Sequence, residues 1–345
     1  MNRPGVLFVG NFLSGQTGHR QYCEELTDQL DGRGWQTLRT SSRLGRFDRM
    51  IDMLKTAWTA RDRYDVAHID VFSGLAFVWS EMVCAELARL HKPYVLTLHG
   101  GNLPAFARKW PKRTRRLFDS AAAVTSPSRY LVEQLEEVAP TTVVIPNAVD
   151  IFKYPFRHRT KASPRLIWIR AFHEVYNPIL AIDVLSIVRK KHPDATLTMV
   201  GADKDGSLVR AHVRARELRL GSSLRIVPGI PKNEVPSYLE AGDIFLNTTN
   251  IDNTPVSVLE AMACGLCVVT TNVGGIPYLV THEENGLLVS PRDPAQMAAA
   301  INRVVDDSML ATHLSQTARL LATKCDWAPV LARWELLLRE VSHHA

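Results

Sequence analysis

Short apolar runs alternate with amphipathic stretches along almost the whole chain. The runs are rich in Val, Ile and Leu and are bounded by Gly, Pro or polar residues, which is typical of buried parallel strands. The stretches between them repeat apolar residues at helical spacing. The predicted strands are residues 6–10, 35–40, 65–72, 93–98, 121–126 and 142–146 in the first half, and 165–169, 195–200, 224–227, 244–246, 267–270 and 286–289 in the second. This alternation predicts an α/β protein with two doubly wound, Rossmann-like domains.

A polar, basic stretch bounded by prolines separates the two halves. Residues 154–164 read YPFRHRTKASP and carry no apolar periodicity, so we expect a linker there. We therefore predict a first domain over residues 1–155 and a second domain over residues 156–324. The tail, residues 309–341, shows helical spacing throughout and contains Trp327 and Trp334.

The most informative stretch is residues 243–277, DIFLNTTNIDNTPVSVLEAMACGLCVVTTNVGGIP. It predicts a strand, a polar loop, a helix and a second strand. Thr254 is expected to cap the helix and Pro255 to occupy its first position, because proline has no N–H to leave unpaired. An open helix N-terminus attracts phosphate groups. Asp252 lies in the loop and Glu260 lies among apolar helix residues, where a carboxylate needs a partner.

Composition narrows the class of protein. The 345 residues are 46% hydrophobic and 22% charged, which is enough for two cores, and no run approaches the ~20 apolar residues that span a bilayer. The N-terminus leads directly into a strand, so we expect no signal peptide. Five scattered cysteines indicate reduced thiols and a cytoplasmic location. The net charge of +6 favours anionic partners such as nucleotide sugars, anionic lipid or nucleic acid.

A dense group of cations lies in the first half. Residues 106–116 read FARKWPKRTRR, with Trp110 among the basic residues. Residues 108–116 could form a solvated helix face, or they could dock on an anionic membrane with Trp110 at the interface. No nucleic-acid recognition motif accompanies them, so we expect no nucleic-acid partner. The other two interpretations stay open.

Two further positions in the first half are candidates for ligand contact. Gly15 and Gly18 lie in the loop after the first strand, where glycine lets the backbone approach a ligand. The loop does not match G-x-G-x-x-G, and this argues against a dinucleotide-binding site. His99 ends the fourth strand beside Gly100 and Gly101, a position that faces a site at the sheet edge.

The 243–277 stretch resembles the signature of the retaining GT-B glycosyltransferases, above all glycosyltransferase family 4. The family has two acids eight positions apart, followed by A-M-A-x-G-x-P-V-V and V-G-G-I-P. This chain has Asp252 where Glu is usual, Glu260 in register, and then AMACG, CVV and VGGIP. Cys267 stands where Pro is common, and Tyr278 stands where an acid is common.

The resemblance extends to the phosphate-binding region. Arg170, after the first strand of the second half, matches an arginine that binds the donor diphosphate in the family. The lysine that commonly follows is absent, and Asn177 or His173 stands in its place. An arginine can clamp a phosphate bidentately, whereas an asparagine brings no charge.

The resemblance implies a GT-B fold with the site in a central cleft between the two domains and the C-terminal helix, residues 325–345, packing back on the first. Arg170 and the helix start at 255–258 would stabilise the leaving diphosphate, Glu260 would hold the ribose, Asp252 the sugar hydroxyls, and His99 would touch the transferred sugar. The implied donor-binding residues are Gly15, Gly18, Asn177, Pro228, Gly229, Asn253, Thr254, Pro255, Val256 and Ser257.

These roles imply a retaining transfer of a hexosyl or N-acetylhexosaminyl group from a nucleotide-diphosphate sugar, with no cofactor and no essential metal. The acceptor would be a glycan, a lipid-linked molecule or a small molecule, in cell-surface polysaccharide or glycoconjugate biosynthesis. The enzyme would be cytoplasmic or peripheral on the inner face of the membrane. The alternatives are a sugar-nucleotide epimerase on the same fold and a sugar-nucleotide-binding protein that has lost catalysis. A pyridoxal-type phosphorylase lacks a candidate Schiff-base lysine.

Overall fold

The chain forms two compact units. The computed structural model describes residues 3–17 and 21–343. The first unit comprises the residues up to Asn147 and those from Trp327 onward, and the second unit comprises Ala148–Asp326. Each unit is built around a six-stranded parallel sheet, as the alternating pattern predicts.

The sheet of the first unit has the strand order β2-β1-β3-β4-β5-β6. Its strands are β1 (Val6–Val9), β2 (Thr37–Thr40), β3 (Val66–Val71), β4 (Tyr94–Leu98), β5 (Ala123–Ser126) and β6 (Val143–Val144). Its helices up to this point are α1 (Ser14–Thr17), α2 (Tyr22–Gly32), α3 (Arg46–Thr59), α4 (Leu75–Arg89), α5 (Leu103–Lys109), α6 (Pro111–Asp119) and α7 (Arg129–Gln134). Every residue of β1 and of β4 is buried, because helices cover both faces of the sheet.

The sheet of the second unit has the order β12-β11-β10-β7-β8-β9. Its strands are β7 (Arg165–Ile169), β8 (Thr196–Val200), β9 (Leu224–Val227), β10 (Ile244–Asn247), β11 (Cys267–Thr271) and β12 (Leu287–Val289). Its helices are α8 (Pro178–Lys191), α9 (Ser207–Glu217), α10 (Val235–Ala241), α11 (Val256–Ala263), α12 (Pro294–Asp306) and α13 (Ser308–Lys324). The central strands β10 and β11 are buried throughout.

The helical tail is divided at Cys325 and Asp326 into α13 and a last helix, α14 (Trp327–His343). Helix α14 packs on the first unit. The Trp334 ring lies edge-on against the His68 ring, with the centroids 5.1 Å apart. The indole N–H of Trp35 donates to the Glu335 carboxylate at 3.0 Å.

The segment expected to be a linker, residues 154–164, lies inside the second unit, because the boundary between the units falls before Ala148. Arg159 is fully buried there. Its guanidinium donates to the carbonyl oxygen of Gly242 at 2.8 Å and lies 3.6 Å from the Asp243 carboxylate. Burial and the nearby charge of Arg157 lower the pKa of Arg159 to about 10. Long-range partners therefore hold this polar, basic segment in place, and local composition does not reveal them.

Candidate active site

The predicted donor-binding residues of the second unit gather at the carboxyl ends of its strands. Arg170 directly follows β7, and Pro228 and Gly229 directly follow β9. The loop between β10 and α11 contains residues 248–255, including Asp252. Ligands of open parallel sheets bind at this edge, so these residues lie where the fold would place a ligand.

Arg170 is the centre of the most closely connected group at this edge. Its guanidinium forms a hydrogen-bonded ion pair with the Asp252 carboxylate, and Nη1 lies 3.4 Å from Ser257 Oγ. The Tyr176 ring lies under the guanidinium, 4.0 Å from its carbon to the ring centroid. The structure thus brings together three of the predicted site residues and adds Tyr176, which sequence reasoning missed. A cation over an aromatic face is stabilised by the ring quadrupole.

Two glycines fix the backbone around this group. A Cβ at Gly201, after β8, would lie 1.7 Å from the carbonyl oxygen of Arg170. A Cβ at Gly274 would lie 2.2 Å from the carbonyl oxygen of Asp252, and Gly274 has a φ of +53°. The same Asp252 carbonyl accepts the N–H of Gly275 at 3.0 Å. The backbone of Arg170 therefore packs directly against Gly201, and that of Asp252 packs against Gly274. Only glycine fits at these two positions.

Helix α11 begins one residue later than predicted. Its N-cap is Pro255, in an extended conformation, and its first residue is Val256. Thr254 is therefore not the N-cap, and proline offers no side-chain acceptor, so no side chain in the described part of the chain caps this helix. The neighbouring Asn253 is buried, and its side-chain oxygen has no hydrogen-bond partner among residues 3–17 and 21–343. The helix start thus keeps polar groups that a ligand can satisfy.

Glu260 has the partner that its apolar surroundings require. Its carboxylate is almost completely buried in α11 and forms a hydrogen-bonded ion pair with the Lys232 ammonium. Lys232 follows the loop that contains Pro228 and Gly229. The prediction that Glu260 needs a partner is confirmed, and Lys232 is a site residue that sequence reasoning missed. The two residues are far apart in sequence, so no local spacing reveals the pair.

The two residues at the family's lysine position serve local structure. Asn177 has a φ of 47°, and its side-chain oxygen accepts the N–H of Leu180 at 3.3 Å, which caps α8 ahead of Pro178. His173 Nδ1 accepts the N–H of Val175 at 3.1 Å. Both side chains hold the turn that leads from Arg170 into α8.

His99 is paired with a buried acid in the first unit. Its Nε2 lies 2.9 Å from Asp70 Oδ1, and its ring stacks on Phe72 with centroids 5.1 Å apart and planes 20° apart. Its backbone N–H donates to the Val71 carbonyl at 2.9 Å. Burial alone would raise the pKa of Asp70, but the charge and hydrogen bond of His99 lower it below its ordinary value. Asp70 was missed, although an acid near the end of an apolar strand was a usable signal.

The remaining predictions for the first unit concern its glycine loop and its basic group. Gly15 lies exposed in α1, and Gly18 lies outside the described residues. Residues 108–116 form the end of α5 and most of α6, with Trp110 half exposed between them. Arg113 Nε donates to Glu81 Oε1 at 2.6 Å, so this member of the basic group already has an acidic partner within the protein. In the part of the chain that the structure describes, no helix is both long and apolar enough to cross a bilayer.

Comparison with family models identifies the class of protein. Residues 21–152 match the model described as Glycosyltransferase Family 4, and residues 150–321 match the model described as Glycosyl transferases group 1. The chain therefore belongs to the glycosyltransferases that these two models describe, glycosyltransferase family 4. It is 30% identical to glycogen synthase of Mycobacterium tuberculosis over 54% of its own length, and it spans 45% of that relative.

Solved structures establish the fold. Sucrose-phosphate synthase from Thermosynechococcus elongatus matches with a TM-score of 0.83 at 18% identity, over 99% of this chain and 100% of that chain. Anabaena HepE, solved in complex with UDP-glucose, matches with a TM-score of 0.78 at 18% identity, over 98% and 100% of the two chains. With its two six-stranded parallel sheets, the chain has the GT-B fold.

Proposed function

We propose that the protein is a retaining glycosyltransferase that moves a hexosyl or N-acetylhexosaminyl group from a nucleotide-diphosphate sugar to an acceptor. The observation that carries the proposal is the grouping of Arg170, Asp252 and Ser257 beside the start of α11. A UDP-sugar is the first candidate donor, because the similar HepE was solved with UDP-glucose. The acceptor would be a glycan, a lipid-linked molecule or a small molecule in cell-surface polysaccharide or glycoconjugate biosynthesis.

In this proposal the second unit handles the leaving group. Arg170 and the uncapped start of α11 take up the charge that develops on the diphosphate. The Glu260 carboxylate holds the ribose hydroxyls, and its ion pair with Lys232 keeps the carboxylate oriented until the donor arrives. Asp252 holds hydroxyls of the transferred sugar, and the acceptor attacks on the face from which the diphosphate leaves.

We assign His99 the contact with the transferred sugar, as the resemblance to the family implies. We also propose that the reaction needs no metal, because Arg170 and the helix start supply the positive charge that a divalent cation would otherwise bring. EDTA should then leave donor turnover unchanged, and loss of turnover in EDTA that added Mg²⁺ restores would overturn this part of the proposal.

Donor turnover tests the proposal directly. The purified protein is incubated with UDP-, GDP- and ADP-sugars without acceptor, and the released nucleoside diphosphate is quantified. We expect slow release from one donor, loss of release in Glu260→Ala, and normal release in the control Glu240→Ala, since Glu240 is an exposed acid of the same unit. Absence of binding to any nucleoside diphosphate in a thermal-shift assay would overturn the proposal.

A second candidate is a nucleotide-sugar-binding protein without turnover. It is favoured by one observation: Asn177 replaces the family's lysine and is used to cap α8. This candidate predicts tight binding of one nucleotide sugar and no release of diphosphate with any acceptor. Release in the donor panel decides against it.

We further propose that residues 108–116 dock on the anionic inner face of a membrane. Arg108, Lys112 and Arg116 are exposed, and half-exposed Trp110 lies among them. Basic residues near such a surface contribute about 1 kcal/mol each. Sedimentation with phosphatidylglycerol vesicles should exceed that with phosphatidylcholine vesicles and fall in Arg108→Glu/Lys112→Glu. Equal sedimentation with both lipids would contradict the proposal.

A further inference from the structure

We propose that Asp70 is the positioning residue of His99: it holds the proton on Nε2 and leaves Nδ1 as the ring nitrogen that faces the sugar. The inference rests on the proposed function, which assigns the sugar contact to His99. It concerns a residue that the family signature in this chain does not include. The pair lies at the carboxyl ends of β3 and β4, the edge at which the ligands of parallel sheets bind.

The fold holds the His99 ring from two directions. Asp70 and Phe72 lie two residues apart at the end of β3, so their side chains leave the strand on the same face. Asp70 Oδ1 contacts Nε2 at 2.9 Å, and the Phe72 ring stacks on the imidazole with its plane rotated by 20°. The hydrogen bond and the stacking contact together fix the rotation of the ring about χ2, and so the direction in which each ring nitrogen points.

The chemistry of Asp70 decides which nitrogen carries the proton. The pKa of this carboxyl is below its ordinary value, so it is ionised at neutral pH. An ionised carboxylate accepts hydrogen bonds and donates none, so the proton in the 2.9 Å contact belongs to His99 Nε2. Nδ1 is then the nitrogen left for a ligand, and the acid sets its role as it does for paired histidines elsewhere.

The neighbouring titratable groups do not compete for this role. Cys23 and His68 are the other groups that act on Asp70 within the first unit. Burial raises the pKa of the Cys23 thiol far above its ordinary range, and burial lowers the pKa of His68 to about 4. Both are uncharged at neutral pH, so the carboxylate of Asp70 is left to act on His99.

Asp70 acts through His99 rather than on the substrate itself. Its side chain is 8% exposed, and the cavity that it lines with Gly10 and Trp79 holds about 30 Å³. Such a cavity admits about one water molecule and excludes a sugar ring. A Cβ at Gly10 would lie 2.8 Å from Asp70 Oδ2, so the acid is closely packed on its other side as well.

Nuclear magnetic resonance of the ring nitrogens tests the inference without any substrate. In protein labelled with ¹⁵N-histidine, the His99 signals are assigned by their loss in His99→Gln. We expect Nε2 to be protonated in the unmodified protein and the His99 signals to move in Asp70→Asn. They should stay in place in Asp65→Asn, which alters an acid at the opposite end of β3. A proton on Nδ1 alone in the unmodified protein would overturn the inference, and this measurement needs no variant of Asp70 to fold.

Kinetics of donor turnover provides the second arm. Asp70→Asn should lower kcat by about 10- to 100-fold with little change in the donor KM, because a misdirected group loses up to about 100-fold in rate. In the His99→Gln background the same change should have no further effect. An equal loss in both backgrounds would overturn the inference. If no donor turns over, the proposed function fails while the ring-nitrogen result still tests the pair.

Discussion

The ion pair between Arg170 and Asp252 leads to a prediction with an unexpected sign. The arginine proposed to bind the diphosphate forms an ion pair with the acid proposed to bind the sugar. A bound diphosphate must therefore compete with Asp252 for the guanidinium. Asp252→Asn removes the competing charge, while the asparagine oxygen can still accept the N–H of residue 253, as Asp252 Oδ1 does at 2.9 Å. We expect this variant to bind UDP more tightly than the unmodified protein, although it should transfer sugar poorly.

The magnitude follows from the surroundings of the pair. Both side chains are largely buried, with 13% and 14% exposure, so solvent screens the pair only in part. A hydrogen bond to a charged group contributes about 1.5–3 kcal/mol net. If removal of the Asp252 charge strengthens diphosphate binding by the lower part of that free-energy range, UDP affinity should rise by about tenfold.

Isothermal titration calorimetry with UDP at fixed ionic strength measures the effect. Asp150→Asn is the matched control, because Asp150 is an acid of the same unit paired with Lys153 on the surface. Removing a negative charge could also strengthen UDP binding by relieving direct repulsion. The Arg170→Gln background separates the two causes. A gain that persists there, or UDP binding that does not tighten in Asp252→Asn, would refute the reasoning.

Three further predictions concern stability and binding. Tyr176→Leu should weaken UDP binding by about 1 kcal/mol, since it removes the ring beneath Arg170, whereas Tyr176→Phe should bind normally by the same calorimetry. Asp243→Asn should lower the free energy of unfolding in urea by about 3 kcal/mol, because it leaves the buried guanidinium of Arg159 without its acid; an unchanged midpoint would contradict this. His68 has a pKa of about 4 when folded against 6.5 ordinarily, so the unfolded chain binds the extra proton and stability should fall by up to about 3 kcal/mol as the pH drops from 6.5 to 4. In His68→Gln that part of the pH dependence should disappear from thermal melting curves.

The sheets could be predicted from sequence because their signal is local. Every residue of the run Val6–Val9 is buried, and such a short apolar run predicts a strand without reference to the rest of the chain. Arg170 was predicted from the resemblance to the family. Asp252 was also predicted from its position, since it lies in a loop after a strand and ligands bind at the carboxyl ends of parallel strands. The start of α11 was predicted one residue too early. Thr254 and Pro255 are both residue types found at helix N-termini, and in the structure Pro255 rather than Thr254 is the N-cap.

The residues that were missed depend on contacts distant in sequence. Lys232 and Glu260 belong to different elements. Asp70 lies in β3 and His99 directly follows β4, and a pattern of apolar residues does not specify how these two strands pair. The burial of Arg159 in the segment expected to be a linker also depends on contacts distant in sequence. Arg159 is surrounded by polar and charged residues in sequence, and only the fold supplies the carbonyl oxygens and the acid that make its burial tolerable.

The position of α14 in the chain has a consequence for the order of folding during synthesis. The second unit is continuous, so all of its residues leave the ribosome before the Trp327–His343 helix that completes the first unit. Domains tend to fold as they emerge, usually with the N-terminal one first. Here the first unit to emerge is the last to be completed. The apolar surface that later contacts Trp334 and Leu338 stays exposed to solvent in the meantime. The nascent chain is thus most vulnerable to aggregation in the half that begins it.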